Sequence, residues 1–322
     1  MSERWIWDRY WQCDRIASCF DGAGASNYDE SIAAGWTGFL ERLPPRARII
    51  DLCTGNGAIA LFAAGVSQCA AKEFAITAVD RADIDPPAYV SRNSAELAAI
   101  NFVARTEVEA LPFADGSFDV AISQYGLEYC DLSAAVPEVA RVIAPGGKAR
   151  FVVHAADGSV AAAAEAMLAD IEMLVERIDL VGASRRCFQA VAKVETGDAS
   201  PAAREQACKA VAYFKSALQQ TSGYVARATD KVLVNNSGGV MLDAFQARQQ
   251  VGFDAVFAKV DCVETEILAH RGRLQALLDA ALDFAGASRL AEQLRAAGAE
   301  ESAAAAVKGA QGVIGYEVTA RF

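Results

Sequence analysis

Ile49-Ile50-Asp51-Leu52-Cys53-Thr54-Gly55-Asn56-Gly57 is the stretch from which the rest of the 322-residue chain is read. A short apolar run ends in an acid and enters a loop with two glycines. Ala58-Ile59-Ala60-Leu61-Phe62-Ala63-Ala64 then has the composition of a helix. Strand, glycine turn and helix in that order form a nucleotide-binding layout. Glycines let a ligand lie against the backbone, and the amides that open the following helix favour an anionic group. The spacing is not GxGxxG, because Ala58 and Ala60 follow Gly57 with no third glycine in register.

Further along, Phe74-Ala75-Ile76-Thr77-Ala78-Val79-Asp80 reads as a second apolar strand ending in an acid. A carboxylate there can accept both hydroxyls of a ribose, with Arg81 beside it. Dehydrogenases use the same device, so Asp80 points to adenosine rather than to one cofactor. Asp85-Pro86-Pro87-Ala88-Tyr89 superficially matches a DPPY motif, but Ala88 splits it and it follows the second strand. It reads as a turn leading into a helix over Val90 to Ala99.

The most discriminating segment runs from Thr106 to Ser123 and contains Glu107, Leu111-Pro112-Phe113 and Phe118-Asp119-Val120-Ala121-Ile122-Ser123. With the Asp51–Gly57 loop and the later Pro145-Gly146-Gly147, it resembles the class I S-adenosylmethionine (SAM) dependent methyltransferases, in the group that includes the ubiquinone and menaquinone enzymes. The resemblance covers residues 46 to 154 and implies a Rossmann-like α/β fold: a seven-stranded, mostly parallel sheet carrying an α-helical insertion. By that resemblance SAM is the cofactor. Gly55, Asn56 and Gly57 cradle its methionine end, Asp51 holds the sulfonium or amino end, and Asp80 takes the ribose. Glu107 accepts the adenine amino group, where the family more often has Asp, and Val108 offers its backbone N–H to the ring. Gln124 and Tyr125, at the end of the fourth strand, become candidates near the transferred methyl, with Glu128 and Tyr129 as substrate contacts.

Methyl transfer needs alignment more than a protein nucleophile. Where a base is used, His154 at the end of the fifth strand has a suitable imidazole. His270 reads as a surface or cap residue. No HxxH or carboxylate cluster suggests a metal.

Residues 1 to 45 are dense in aromatics, with Gly22-Ala23-Gly24 separating two expected helices. The family resemblance makes this segment a flap over the cofactor, with Tyr28, in Tyr28-Asp29, as a lid residue. Residues 46 to 155 form the expected SAM-binding core. From 156 to 285 the family pattern is lost in alanine-rich amphipathic helices, with Asn235-Asn236-Ser237-Gly238-Gly239 as a turn between two of them. This insertion reads as a substrate cap, a dimer-forming arm being the alternative. Residues 286 to 322 then bring a helix and the last two strands back to the core.

A net charge of −11 would repel phosphate backbones and anionic membrane surfaces, which favours a small-molecule substrate over a nucleic acid. Eight cysteines at 13, 19, 53, 69, 130, 187, 208 and 262 contain no CxxC and read as reduced, buried thiols. With no signal core and no membrane-length apolar run, the expected location is cytoplasmic. Against the methyltransferase reading stand an NAD(P) oxidoreductase, which does not account for Glu107 to Phe113, and a SAM-binding sensor or assembly protein without catalysis.

Overall fold

The computed structural model describes residues 4–18, 27, 28, 30–198, 200–309 and 312–322. Phe20, the Gly22-Ala23-Gly24 break, Asp29 and Cys19 lie outside the described residues. Two helices, α1 (Arg4–Trp11) and α2 (Glu30–Glu41), precede β1 (Arg48–Leu52). An alternation follows: α3 (Ala58–Cys69), β2 (Ala75–Val79), α4 (Pro86–Tyr89), α5 (Ser94–Ala98), β3 (Ile100–Val103), β4 (Phe118–Gln124), α6 (Leu132–Val142) and β5 (Ile143–Val153). Five helices come next, α7 (Ser159–Glu172), α8 (Leu180–Glu195), α9 (Pro201–Tyr224), α10 (Lys231–Val251) and α11 (Phe253–Ala280). The described chain closes with α12 (Phe284–Ala296), β6 (Glu301–Gly309) and β7 (Gly312–Arg321).

The strands make one seven-stranded sheet in the order β3-β2-β1-β4-β5-β7-β6. The pairs among β1 to β5 are parallel, and β7 runs antiparallel to both β5 and β6. This is the Rossmann-like α/β sheet expected from the strand, glycine turn and helix pattern. Parallel strands are covered on both faces, which is why β1 and β4 are nearly continuous in apolar residues. Successive side chains alternate faces. Ile49 and Ile122 pack with Trp36, Leu40, Ile59 and Leu97 on one side, whereas Ile50 and Leu52 pack with Leu127, Phe151, Leu290 and Leu294 on the other. Arg150 ties α2 to the sheet: it donates to Glu317 on β7 (2.5 Å) and to the Gly35 carbonyl (2.6 Å), with its guanidinium 4.3 Å from the Trp36 ring.

The chain divides into two compact units, 1–162 with 276–322, and 163–275. In the second, Phe188, Phe214 and Phe245 pack ring against ring at 5.4 to 5.6 Å. Its interior acid Asp170 accepts bonds from the Tyr224 hydroxyl and from the amides of Thr229 and Asp230, fixing the turn after α9. Asp230 then caps α10 through the Leu233 amide.

The sequence places this turn too late. Asn235-Asn236-Ser237-Gly238-Gly239 lies inside α10, because Val234, Ser237 and Met241 form its buried stripe. A Cβ on Gly238 would sit 3.2 Å from the Thr221 side chain, so this glycine serves close helix packing. The helix expected over Val90 to Ala99 is confined to α5. Val90 is extended, Asn93 adopts a left-handed conformation, and Asp14 holds the backbone and hydroxyl of Ser91. The cysteines also differ from expectation: of those described, Cys13, Cys69, Cys208 and Cys262 are exposed and only Cys187 is buried. Among the described residues no helix is long and apolar enough to cross a membrane.

Candidate active site

A cleft opens at the carboxyl ends of β1, β2 and β4 in the sheet-bearing unit. Open α/β sheets place ligands there, since the loops that follow the strands diverge and the helices that return begin with free amides. Asp51, next to last in β1, is 1% exposed, and its Oδ2 accepts the Thr54 hydroxyl (2.6 Å) and the Ala60 amide in the first turn of α3 (3.1 Å). Burial pushes its carboxyl from 3.8 up to about 7, with the Asp80 charge adding to the shift and the two hydrogen bonds opposing it. In the ligand-free protein this acid is therefore half protonated near neutrality.

Asp80 accepts the Gly55 amide on Oδ2 (2.7 Å) and the Ala82 amide on Oδ1 (2.8 Å), which locks the glycine loop to the end of β2. Its burial likewise raises its carboxyl above the ordinary range. Gly55 has φ +55, and a Cβ on it would lie 2.4 Å from the Trp11 ring; Gly57 has φ +87, with its Cβ position 2.9 Å from Phe102. Both conditions select glycine.

Asp51, Asp80, Arg81, Glu107, Val108, Gln124, Tyr125 and Tyr28 all border the cleft. Three other cofactor candidates do not. Gly55 and Gly57 form the loop beneath it, and Asn56 turns away: its Nδ2 donates to the carbonyls of Trp11 (2.9 Å) and Arg15 (2.8 Å), pinning the segment after α1 over the loop. Tyr28 packs edge-on against Tyr125 at 6.2 Å.

The expected base His154 is not brought to the cleft. It is 1% exposed, its Nδ1 lies 2.8 Å from Glu128 Oε1, and the same oxygen accepts its backbone amide at 2.7 Å. Tyr125, which does border the cleft, stacks on the imidazole at 4.2 Å. Glu128, expected as a substrate contact, is itself buried against His154 and absent from the cleft wall, whereas its neighbour Tyr129 is part of it. Tyr125 also directs its hydroxyl away from the cleft, donating to the Ile314 carbonyl at 2.8 Å. What Tyr125 offers a ligand is a ring face. It holds φ +56 to do so, as Cys53 across the loop holds φ +54, and strained backbone of this kind persists where surrounding structure enforces it.

Sequence reasoning gave no role to Trp7, Trp11, Cys53 and Cys130, which complete the wall. Trp7 meets Tyr129 edge-to-face at 5.4 Å, so α1 closes over the end of β4. The aromatic density of residues 5 to 11 was the available signal. The Cys53 and Cys130 sulfurs lie 3.7 Å apart, and their mutual hydrogen bond, reinforced by burial, holds Cys53 as a thiol.

Residues 50–151 match the family described as methyltransferase domain. The chain is similar to a malonyl-[acyl-carrier protein] O-methyltransferase of Enterobacter lignolyticus, with 31% identity over 37% of this chain and 44% of that protein. It is also similar to a demethylmenaquinone methyltransferase of Mycolicibacterium vanbaalenii, with 30% identity over 41% of this chain and 57% of that one. The chain thus spans about half the length of these curated relatives. Among solved structures, the [4+2]-cyclase SpnF aligns over 98% of this chain and 93% of its own, at 15% identity and a TM-score of 0.41. The matched segment begins within β1, includes the glycine loop and both acids, and ends within β5. Residues 50–151, which hold the glycine loop and both acids, are thus the part of the chain that matches a methyltransferase domain.

Proposed function

We propose that this chain is a SAM-dependent methyltransferase that acts on an oxygen or nitrogen of a small, aromatic or quinone-like molecule in the cytoplasm. The observation that carries the reading is the placement of Asp51, Asp80 and Glu107 around one cleft at the carboxyl ends of adjacent parallel strands. The residues fit SAM. Asp80 and Glu107 offer carboxylates to ribose hydroxyls and an adenine amino group, and the Val108 amide opens the turn beside them. Asp51 is a buried acid whose charge is incompletely balanced, so a cationic ligand group would stabilise it. Bound there, SAM supplies a methyl group activated by a sulfonium.

The protein's part is alignment and exclusion of water. Fixing two reactants in line can contribute several kcal/mol without a protein nucleophile. Trp7, Tyr125 and Tyr129 offer ring faces and edges suited to a flat apolar acceptor. The excess of acidic residues opposes nucleic acid. Residues 156 to 285, beyond the matched segment, are assigned acceptor selection, with a homodimer arm as their other role.

Isothermal titration tests this. SAM and S-adenosylhomocysteine should bind in preference to NADH, and Asp80→Ala should weaken both at least tenfold, about 1.4 kcal/mol. Failure of both ligands to bind, preference for NADH, or an unchanged affinity in Asp80→Ala would defeat the proposal. Binding without turnover across a broad acceptor panel would defeat the catalytic part.

A further inference from the structure

Gln124 ends β4 and borders the cleft, yet is only 8% exposed. Its Oε1 accepts the indole N–H of Trp36 at 2.7 Å. Trp36 can only donate, so this bond determines which end of the amide is oxygen and which is nitrogen. The nitrogen, Nε2, is buried and has no hydrogen-bond partner among the described residues. A buried donor left unpaired costs stability that a hydrogen bond from a ligand would recover.

Trp36 has no freedom to release the amide. It is 1% exposed, sits under the Arg150 guanidinium, and Arg150 is in turn held by Glu317 and the Gly35 carbonyl. A chain of contacts from β7 through β5 and α2 therefore sets the direction of one N–H pair at the end of β4.

What acceptor would it meet? Among the described residues lining the cleft, Arg81 is the one Lys or Arg, and it stands beside Asp80 at the ribose end. An anionic ligand group at the opposite end, by Asp51 and the start of α3, must be held by neutral donors. We infer that Trp36 is a positioning residue that aims the Gln124 amide nitrogen at the methionine carboxylate of the cofactor. The inference rests on the proposed SAM reading, which places adenosine at Asp80 and Glu107 and so sends the amino-acid portion toward Gln124.

The test compares S-adenosylhomocysteine with 5′-methylthioadenosine, which keeps the adenosine and sulfur but lacks the amino-acid portion. Titrations use the full chain, as wild type, Gln124→Met, Trp36→Phe and the double variant. Gln124→Met, similar in size but without a donor, should weaken S-adenosylhomocysteine roughly tenfold or more, as expected for a hydrogen bond to a charged group, and leave 5′-methylthioadenosine unchanged. Trp36→Phe should give a smaller loss with the same selectivity, and the double variant should lose no more than Gln124→Met alone, since Trp36 acts through the amide. Retained 5′-methylthioadenosine binding certifies that each variant is folded. Equal losses for both ligands, no loss for S-adenosylhomocysteine, or additive losses in the double variant would overturn the inference. Wild type binding neither ligand would instead defeat the SAM reading itself.

Discussion

The half-protonated state of Asp51 makes cofactor affinity depend on pH in a calculable way. With its carboxyl at about 7, the acid is about nine-tenths ionised at pH 8 and about nine-tenths protonated at pH 6. If the cationic amino end of the cofactor binds the ionised form alone, apparent affinity should fall about tenfold from pH 8 to pH 6, about 1.4 kcal/mol. Binding at pH 7 should release about half a proton, which titration calorimetry reads from the heats in buffers of different ionisation enthalpy. Asp51→Asn should flatten the dependence and bind more weakly than wild type at pH 8. A flat wild-type profile between pH 6 and 8, or a slope that survives in Asp51→Asn, would refute the reasoning. The same shift bears on stability with a defined sign. A carboxyl raised from 3.8 to about 7 is bound more tightly by protons in the folded state, so its contribution is most favourable below pH 4 and is lost as pH rises to about 7. In the ligand-free protein Asp51→Asn should therefore be stabilising above pH 7, by at most about 4 kcal/mol, and near neutral in effect at pH 4.

Gly55→Ala forces a Cβ into the Trp11 ring at a left-handed backbone position; it should cost about 1–2 kcal/mol for the backbone alone and shift the tryptophan emission, both read in thermal and fluorescence-monitored unfolding. An unchanged midpoint and spectrum would show that Trp11 does not cover the loop. Asn56→Ala removes the donor that holds the Trp11 and Arg15 carbonyls, so limited proteolysis within residues 4 to 18 should accelerate while the rest of the chain stays protected; equal cleavage rates would count against it. Glu128→Gln weakens the hydrogen bonds to the His154 ring and backbone amide, and should lower stability by about 1–3 kcal/mol with unchanged S-adenosylhomocysteine affinity. A loss of affinity without a loss of stability would place Glu128 in the site.

β1, β2, β4 and β5 were legible because each is an apolar run closed by a polar residue or bounded by glycine and proline, and a sheet covered on both faces demands such runs. β3 was not: its four residues include Asn101, and what makes Ile100–Val103 a strand is pairing with β2. In the helical unit, Gly238 and Gly239 carry a turn signal locally, but the space that Gly238 leaves is filled by Thr221 from another helix, a contact made only in the folded chain. The site divides along the same line. Asp51, Asp80 and Gln124 lie where legible strands end, so strand position predicts that they face one cleft, whereas Glu107 was placed by the family resemblance of its segment. His154 also ends a strand. Its exclusion depends on the Tyr125 ring and the buried Glu128, which no local pattern announces. The contribution of Trp11 depends on its meeting Gly55 across 44 positions of sequence, and that of Trp36 on its meeting Gln124 across 88.

The antiparallel strand β7 lies inside the sheet, between β5 and β6, and its partner edge on β5 is made long before it. Val153 pairs with Tyr316, so more than 160 residues must be added before that edge is closed. At a ribosomal rate of about 5–20 residues per second, Phe151-Val152-Val153 would present unpaired amides and carbonyls for about 8 to 32 s. An open strand edge is a template for pairing with another chain. Residues 163–275, with a core of their own, are synthesised in that interval, and their early folding would keep the delay from adding a second sticky surface. Expression at lower temperature or with chaperones that shield strand edges should thus affect yield through β5.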